Sequence, residues 1–190
     1  QHVLLACYCR AVAKFPAINR FLSGQKVYSR GNDIQFCMTI KKEMTTDAPD
    51  SSIKLHLKPT DTAEDVYNKL NAKVEEVKNT PLDSSLDNTA HLLTMIPGVF
   101  LKFTVWLLRT LDYFGLLPKK ILELSPFHGS MIITSMGSLG IKPIYHHIYD
   151  FGTVGQIITI GNSENKPIIK DNEIQLEKVM PLGVVCDERI

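Results

Sequence analysis

The spacing of hydrophobic positions changes along the chain from helical to alternating, back to helical, and to alternating again. Val3, Leu4, Cys7 and Ala11 recur at helical spacing and predict a helix over Val3–Lys14, which Pro16 ends. After the turn signal Gly31-Asn32, Ile34, Phe36, Met38 and Ile40 alternate with Gln35, Cys37, Thr39 and Lys41, the pattern of a half-buried strand. Ile53, Leu55 and Leu57 alternate with Lys54, His56 and Lys58 until Pro59, which has no N–H to give to a ladder. Thr62 opens a second helix, with Asp65 as its capping-box partner and Val66, Leu70, Val74 and Val77 as its apolar stripe. The residues "NTPLDSSLDNTAH" that follow read as a polar connection.

The stretch "GVFLKFTVWLLRTLDYFGLLP" is apolar nearly all round and about as long as a membrane span. Lys102, Arg109 and Asp112 count against a span, because a charge near the bilayer centre costs about 2.5–3.5 kcal/mol even on the lenient insertion scale. The expectation is a helix buried on both sides, by the core and by another subunit or segment. A short helix beginning at Pro118 should follow it.

The last third turns to strands. "SMIITSM" and "QIITIG" carry the β-branched content of buried strands, and "KPIIKDNEIQLEKVMPLGVV" predicts a hairpin through Asp171-Asn172 leading into a final strand. Strands on both sides of the helices give an α+β fold with a mixed or antiparallel sheet, and no repeating βαβ pattern.

Composition narrows this little. The 190 residues suit one domain, 1–190, and the net charge of +1 with scattered Lys and Arg argues against a nucleic-acid or anionic-membrane partner. Cys7, Cys9, Cys37 and Cys186 form no C-x-x-C pair and have no histidine at ligand spacing, so buried thiols in a reducing, cytoplasmic setting are expected, with no metal. The chain opens at Gln1 within a helical run and stops abruptly at Ile190, so the domain is expected to be cut at both ends.

Three stretches carry candidate chemistry. "YHHIYDFG" holds His146, His147 and Asp150; adjacent histidines on a strand point to opposite faces, which leaves either a functional pair or an aromatic-rich turn. "TSMGSLGI" sets Thr134, Ser135 and Ser138 beside glycines after a buried strand, either as an oxyanion-binding turn or as an ordinary Gly-Ser turn. "VMPLGVVCDERI" delivers Asp187, Glu188 and Arg189 from the end of a strand.

In the order Pro16 and Asn19 of "FPAIN", the turn Ser135 to Gly140, the strand "GQIITIG", and "MPL" leading to Asp187-x-Arg189, the chain resembles the catalytic domain of the dihydrolipoyl acyltransferases of 2-oxoacid dehydrogenases, and their relative chloramphenicol acetyltransferase. That resemblance implies a mixed sheet packed with helices, and trimers or assemblies of trimers with active sites in channels between subunits. Coenzyme A would be a substrate, lipoamide the acyl carrier and a lipoyl domain a partner. The family's motif is D-H-R, whose histidine is the general base, while a Ser or Thr hydroxyl stabilises the oxyanion. Carried over, the base position falls on Glu188 and the oxyanion role on Ser135 or, with a shifted alignment, Ser138.

Glutamate is the departure: its ordinary pKa of about 4.3, against about 6.5 for histidine, is a poorer match to a thiol unless burial raises it. Two readings therefore follow from the resemblance, a coenzyme A-dependent acyltransferase or a catalytically silent trimeric scaffold of the same fold.

Overall fold

The structure, a computed structural model, describes residues 1–41, 50–79 and 97–190. The expected polar connection lies outside the described residues from position 80 onward. In chain order the elements are α1 (His2–Lys14), a 3-10 turn (Pro16–Asn19), β1 (Arg20–Ser23), β2 (Lys26–Ser29), β3 (Ile34–Lys41), β4 (Asp50–Leu57) and α2 (Ala63–Asn79). Then come α3 (Gly98–Tyr113), α4 (Lys119–Leu124), β5 (Met131–Ser135), β6 (Gln156–Ile160), β7 (Glu164–Lys170), β8 (Glu173–Val179) and β9 (Leu182–Cys186).

The central sheet runs in the order β4-β3-β5-β6-β9. β3 pairs antiparallel with β4 and parallel with β5, β5 parallel with β6, and β6 antiparallel with β9, which makes the sheet mixed. The alternation along β3 decides which face is covered. Ile34, Phe36 and Met38 are buried together with Ile53, Leu55 and Leu57 of β4, Met131 and Ile133 of β5, and Ile158 and Ile160 of β6. Leu5, Tyr8, Cys9 and Val12 of α1 and Val66 and Leu70 of α2 close this core from above.

The opposite face is held by polar ties. His56 reaches Asp33 at 2.9 Å and Glu123 of α4 at 3.1 Å, and Lys54 donates to the carbonyl of Leu122. Gly129 lies flat on the same face, where an added Cβ would come within 2.7 Å of Cys37 Sγ.

α2 begins as its residues require. The Thr62 amide donates to Asp65 Oδ2 at 2.9 Å and the Asp65 amide to Thr62 Oγ1 at 3.2 Å, a reciprocal capping box. Thr62→Ala should cost about 1 kcal/mol and lower the thermal midpoint by about 2–4 °C in a melt followed by circular dichroism.

The apolar stretch departs from expectation. It is a helix only over Gly98–Tyr113, breaks at Gly115, where φ is +67°, and resumes at Lys119. No residue of α3 is buried in the single chain, so the core does not cover it as expected. Its C-terminal end is pinned by Ser23 Oγ donating to the Asp112 carbonyl at 3.1 Å and by His128 on the Asp112 carboxylate.

β7 and β8 form the hairpin read from Asp171-Asn172, both of which take positive φ as a tight primed turn demands. One face of that hairpin presents Ile169, Ile174 and Leu176, all largely exposed. The thiols are also split. Cys9 and Cys37 are buried, with the Cys9 thiol pushed up to about 11 by burial, whereas Cys7 and Cys186 are exposed in the single chain.

Candidate functional site

β9 is an edge strand that ends at Cys186, and the four residues after it fold into a turn. The Asp187 amide donates to the Gly155 carbonyl at 2.8 Å. Arg189 then folds back on the Asp187 carboxylate: its backbone amide and Nε donate to Oδ1 at 3.0 and 2.8 Å, and Nη2 donates to Oδ2 at 2.7 Å. The hydrogen bond from Arg189 holds the Asp187 carboxyl below the usual carboxylate range. Gly155 makes room for Ile190, since an added Cβ would meet Ile190 Cδ1 at 2.2 Å.

Glu188 sits between the two clamped residues and is exposed. The strand has already ended there, and the guanidinium is committed to Asp187.

Ser135 is the half-buried last residue of β5, and Ser138 lies in the short 3-10 turn Gly137–Leu139 that follows. The turn is pressed onto the end of β6: the Met136 amide donates to the Ile160 carbonyl at 2.7 Å, and an added Cβ on Gly137 would lie 2.9 Å from the Gly161 carbonyl. Gly140 closes it in the left-handed region at φ +69°.

The register places these two features at opposite ends of the sheet. Ser135 pairs with Ile160, and Ile160 with Leu182, whereas Cys186 pairs with Gln156. At about 3.3 Å per residue, the four steps from Leu182 to Cys186 alone amount to about 13 Å. Within one chain, therefore, Ser135 and Glu188 do not share a pocket.

What does meet the clamped turn is the other flagged stretch. A polar cavity of about 300 Å³ is lined by Arg189, Asp150, Tyr149, Asp112, Arg109 and Ser23, among others. An apolar groove of about 750 Å³, lined by Val105, Leu108, Phe127 and Ile148, shares Arg109, Tyr149, Asp150 and Phe151 with it. His146 and His147 do not point to opposite faces. Residues 141–149 form no strand, and the two rings stack at 4.7 Å with Tyr149 beside them.

Sequence reasoning missed the buried polar posts behind these cavities. His128 is 2% exposed and sits 2.8 Å from Asp112 Oδ1 through Nε2 and 2.8 Å from Ser125 Oγ through Nδ1, while Asp112 Oδ2 accepts from the Gly152 amide at 3.0 Å. Burial raises the Asp112 carboxyl, but the hydrogen bonds from His128 and Gly152 outweigh it and leave the group below the usual range.

Asn19 of "FPAIN" is 1% exposed. Its Nδ2 donates to the carbonyls of Gly31 and Asp33, and its Oδ1 accepts Ser130 Oγ at 2.6 Å. Arg30 spans Gly129 and Thr153 over the ring of Phe21, and burial lowers its guanidinium to about 10. A lone Asp, His or Asn in sequence does not announce such pairs, because the partners lie many positions apart.

The architecture is thus an α+β domain whose mixed five-stranded sheet carries α1 and α2 on one face, α4 on the other and a clamped acidic turn at its edge. Solved structures share it. A probable dihydrolipoamide acetyltransferase from Listeria monocytogenes aligns with a TM-score of 0.61 at 14% identity, covering 100% of this chain and 61% of its own. The dihydrolipoamide acetyltransferase (E2p) of Azotobacter vinelandii, investigated for the role of a serine, a histidine and an asparagine in its catalytic mechanism, aligns with a TM-score of 0.55 at 13% identity. That alignment covers 99% of this chain and 59% of the other, so the chain spans about three-fifths of the length of these two structures. No protein-family model and no curated protein matches the chain. The fold is that of these dihydrolipoamide acetyltransferases, the chloramphenicol acetyltransferase-like mixed sheet packed with helices.

Proposed function

We propose that the chain is an acyl-transfer module, moving an acyl group between coenzyme A and a thiol such as that of dihydrolipoamide. The observation that carries this reading is the agreement in fold with a probable dihydrolipoamide acetyltransferase across the whole of the chain.

In the proposed reaction the acceptor thiol gives its proton to a Glu188 oxygen, and the thiolate attacks the thioester carbonyl. The oxyanion that forms accepts a hydrogen bond from the hydroxyl of Ser135 or Ser138. Collapse of the tetrahedral intermediate expels the other thiolate, which takes the proton back from Glu188. The clamp between Asp187 and Arg189 supports this role by fixing the turn and by occupying the cation that would otherwise weaken Glu188 as a base.

Because Ser135 and Glu188 sit at opposite ends of the sheet, the working site is read as lying between subunits of a homotrimer, with Glu188 of one chain facing the serine turn of the next. Cover by the neighbour would take Glu188 and the reacting thiol out of bulk water. The exposed Ile169, Ile174 and Leu176 of the β7–β8 hairpin offer apolar surface for such an assembly. A lipoyl domain would present the dihydrolipoamide.

The test is transfer of acetyl from acetyl-coenzyme A to dihydrolipoamide. Glu188→Gln should lower kcat about 100-fold with little change in KM. If parent and variant run alike at background, acyl transfer to this acceptor is lost as a function and the scaffold reading replaces it. A monomeric mass by analytical ultracentrifugation would remove the shared site.

A further inference from the structure

We propose that α3 and the loop after it form an interfacial anchor that lays this protein on an anionic lipid surface. The helix has two unlike sides. Leu101, Thr104, Leu108 and Leu111 recur every three to four residues and are half-buried. Val99, Phe103, Trp106 and Tyr113 recur at the same spacing on the other side, with Phe103 58% and Trp106 59% exposed, and Phe114 and Leu116 extend this surface into the loop. Among the described residues nothing covers it.

The outer side is fixed in orientation. Ser23 and His128 hold Asp112, and the β1–β2 turn at Gly24 packs so closely on the Tyr113 carbonyl that an added Cβ would lie 2.8 Å from it.

Charge identifies the occupant. Between positions 97 and 124 the basic residues are Lys102, Arg109, Lys119 and Lys120, and the acids are Asp112, which is turned inward to His128 and Gly152, and Glu123, which meets His56. None of these four cations has an ion-pair partner among the described residues, and they stand out in a chain whose net charge is +1. Lys102 and Arg109 are seven residues apart and so line one edge of the aromatic face, where lysine and arginine stems lie along apolar surface and carry their heads to phosphate. A protein-binding core, by contrast, is depleted in lysine.

The hydroxyls of Thr104 and Thr110 donate to the carbonyls of Phe100 and Trp106 at 2.9 and 2.8 Å, so neither threonine takes an unsatisfied hydroxyl into an apolar layer. Its 16 residues, about 24 Å long, are too short to cross about 30 Å of hydrocarbon, and the geometry is that of a helix lying in the interface.

Trp106 is the single tryptophan of the chain, so its emission reports on this face alone. With equimolar phosphatidylglycerol/phosphatidylcholine vesicles the emission should shift to the blue and the protein should sediment with the lipid, at least tenfold more weakly on phosphatidylcholine alone. The double variant Lys102→Gln/Arg109→Gln should bind about 25-fold more weakly, two cations at about fivefold each. Phe103→Glu, at an exposed position, should abolish sedimentation with an unchanged circular dichroism spectrum. Absence of both blue shift and sedimentation on anionic vesicles overturns the anchor. So does a blue shift that needs no lipid and rises with protein concentration alongside oligomer mass, which would assign the face to a second copy of the chain.

Discussion

Asp112→Ala should destabilise the protein by about 3 kcal/mol, lowering the thermal midpoint by about 6–12 °C. The carboxylate can only accept, so His128 Nε2 carries the proton it shares with Asp112, and Nδ1 faces Ser125 Oγ. The second carboxylate oxygen takes the Gly152 amide. Removal of Asp112 would therefore strand an imidazole N–H and a backbone N–H in a site where His128 is 2% exposed, and release the C-terminal end of α3. A midpoint within 2 °C of the parent would mean that the pair contributes little.

Asp112 also sets an acid limit, together with Asp187. Asp112 and Asp187 both have carboxyls depressed in the folded state, so their stabilisation is complete above the ordinary aspartate value near 3.9 and is lost as pH falls through the lower folded value. The Asp112→Ala variant should show a shallower loss of stability below about pH 4 than the parent, read from denaturant melts across pH.

Phe36→Ala should cost about 3–5 kcal/mol. Phe36 is 0% exposed on β3, next to β5 in the sheet, and meets Tyr8 of α1 edge to face at 5.4 Å, so truncation opens a cavity between sheet and helix. Phe103→Ala, with a ring of the same size on the outside of α3, should change stability by about 0.5 kcal/mol or less. Equal midpoints for the two variants would contradict the assignment of the core to the α1–β3 contact.

Elements with a strict period were legible before the structure. β3 alternates over its eight residues and β4 from Ile53 to Leu57, and Asp171-Asn172 sits where positive φ is needed, so local chemistry and final pairing agree. The β1–β2 hairpin escaped notice because it lacks alternation: every residue of β2 is exposed.

α3 was read as buried on both sides because hydrophobicity around the helix is scored without regard to what stands near it, and here little does. The candidate site was legible only in pieces. "DERI" and "TSMGSLGI" could each be picked out, but their placement at opposite ends of the strands is a matter of register, to which neither stretch contributes alone. His128 and Asp112 were invisible for the same reason, being joined only through space.

The parallel seam between β3 and β5 also has a bearing on how the molecule assembles in time. It brings Phe36 opposite Met131, about a hundred positions further along, whereas β3 meets β4 across one short connection. Closing that long loop has to precede any reward from the seam, so the α1, β3, β4 and α2 half is the natural place for order to begin, and β5, β6 and β9 join it late. Amide protons of β9, bonded to β6 alone at the sheet's edge, should be the first in the sheet to exchange with solvent, and the acidic turn it carries would become ordered at the end of folding.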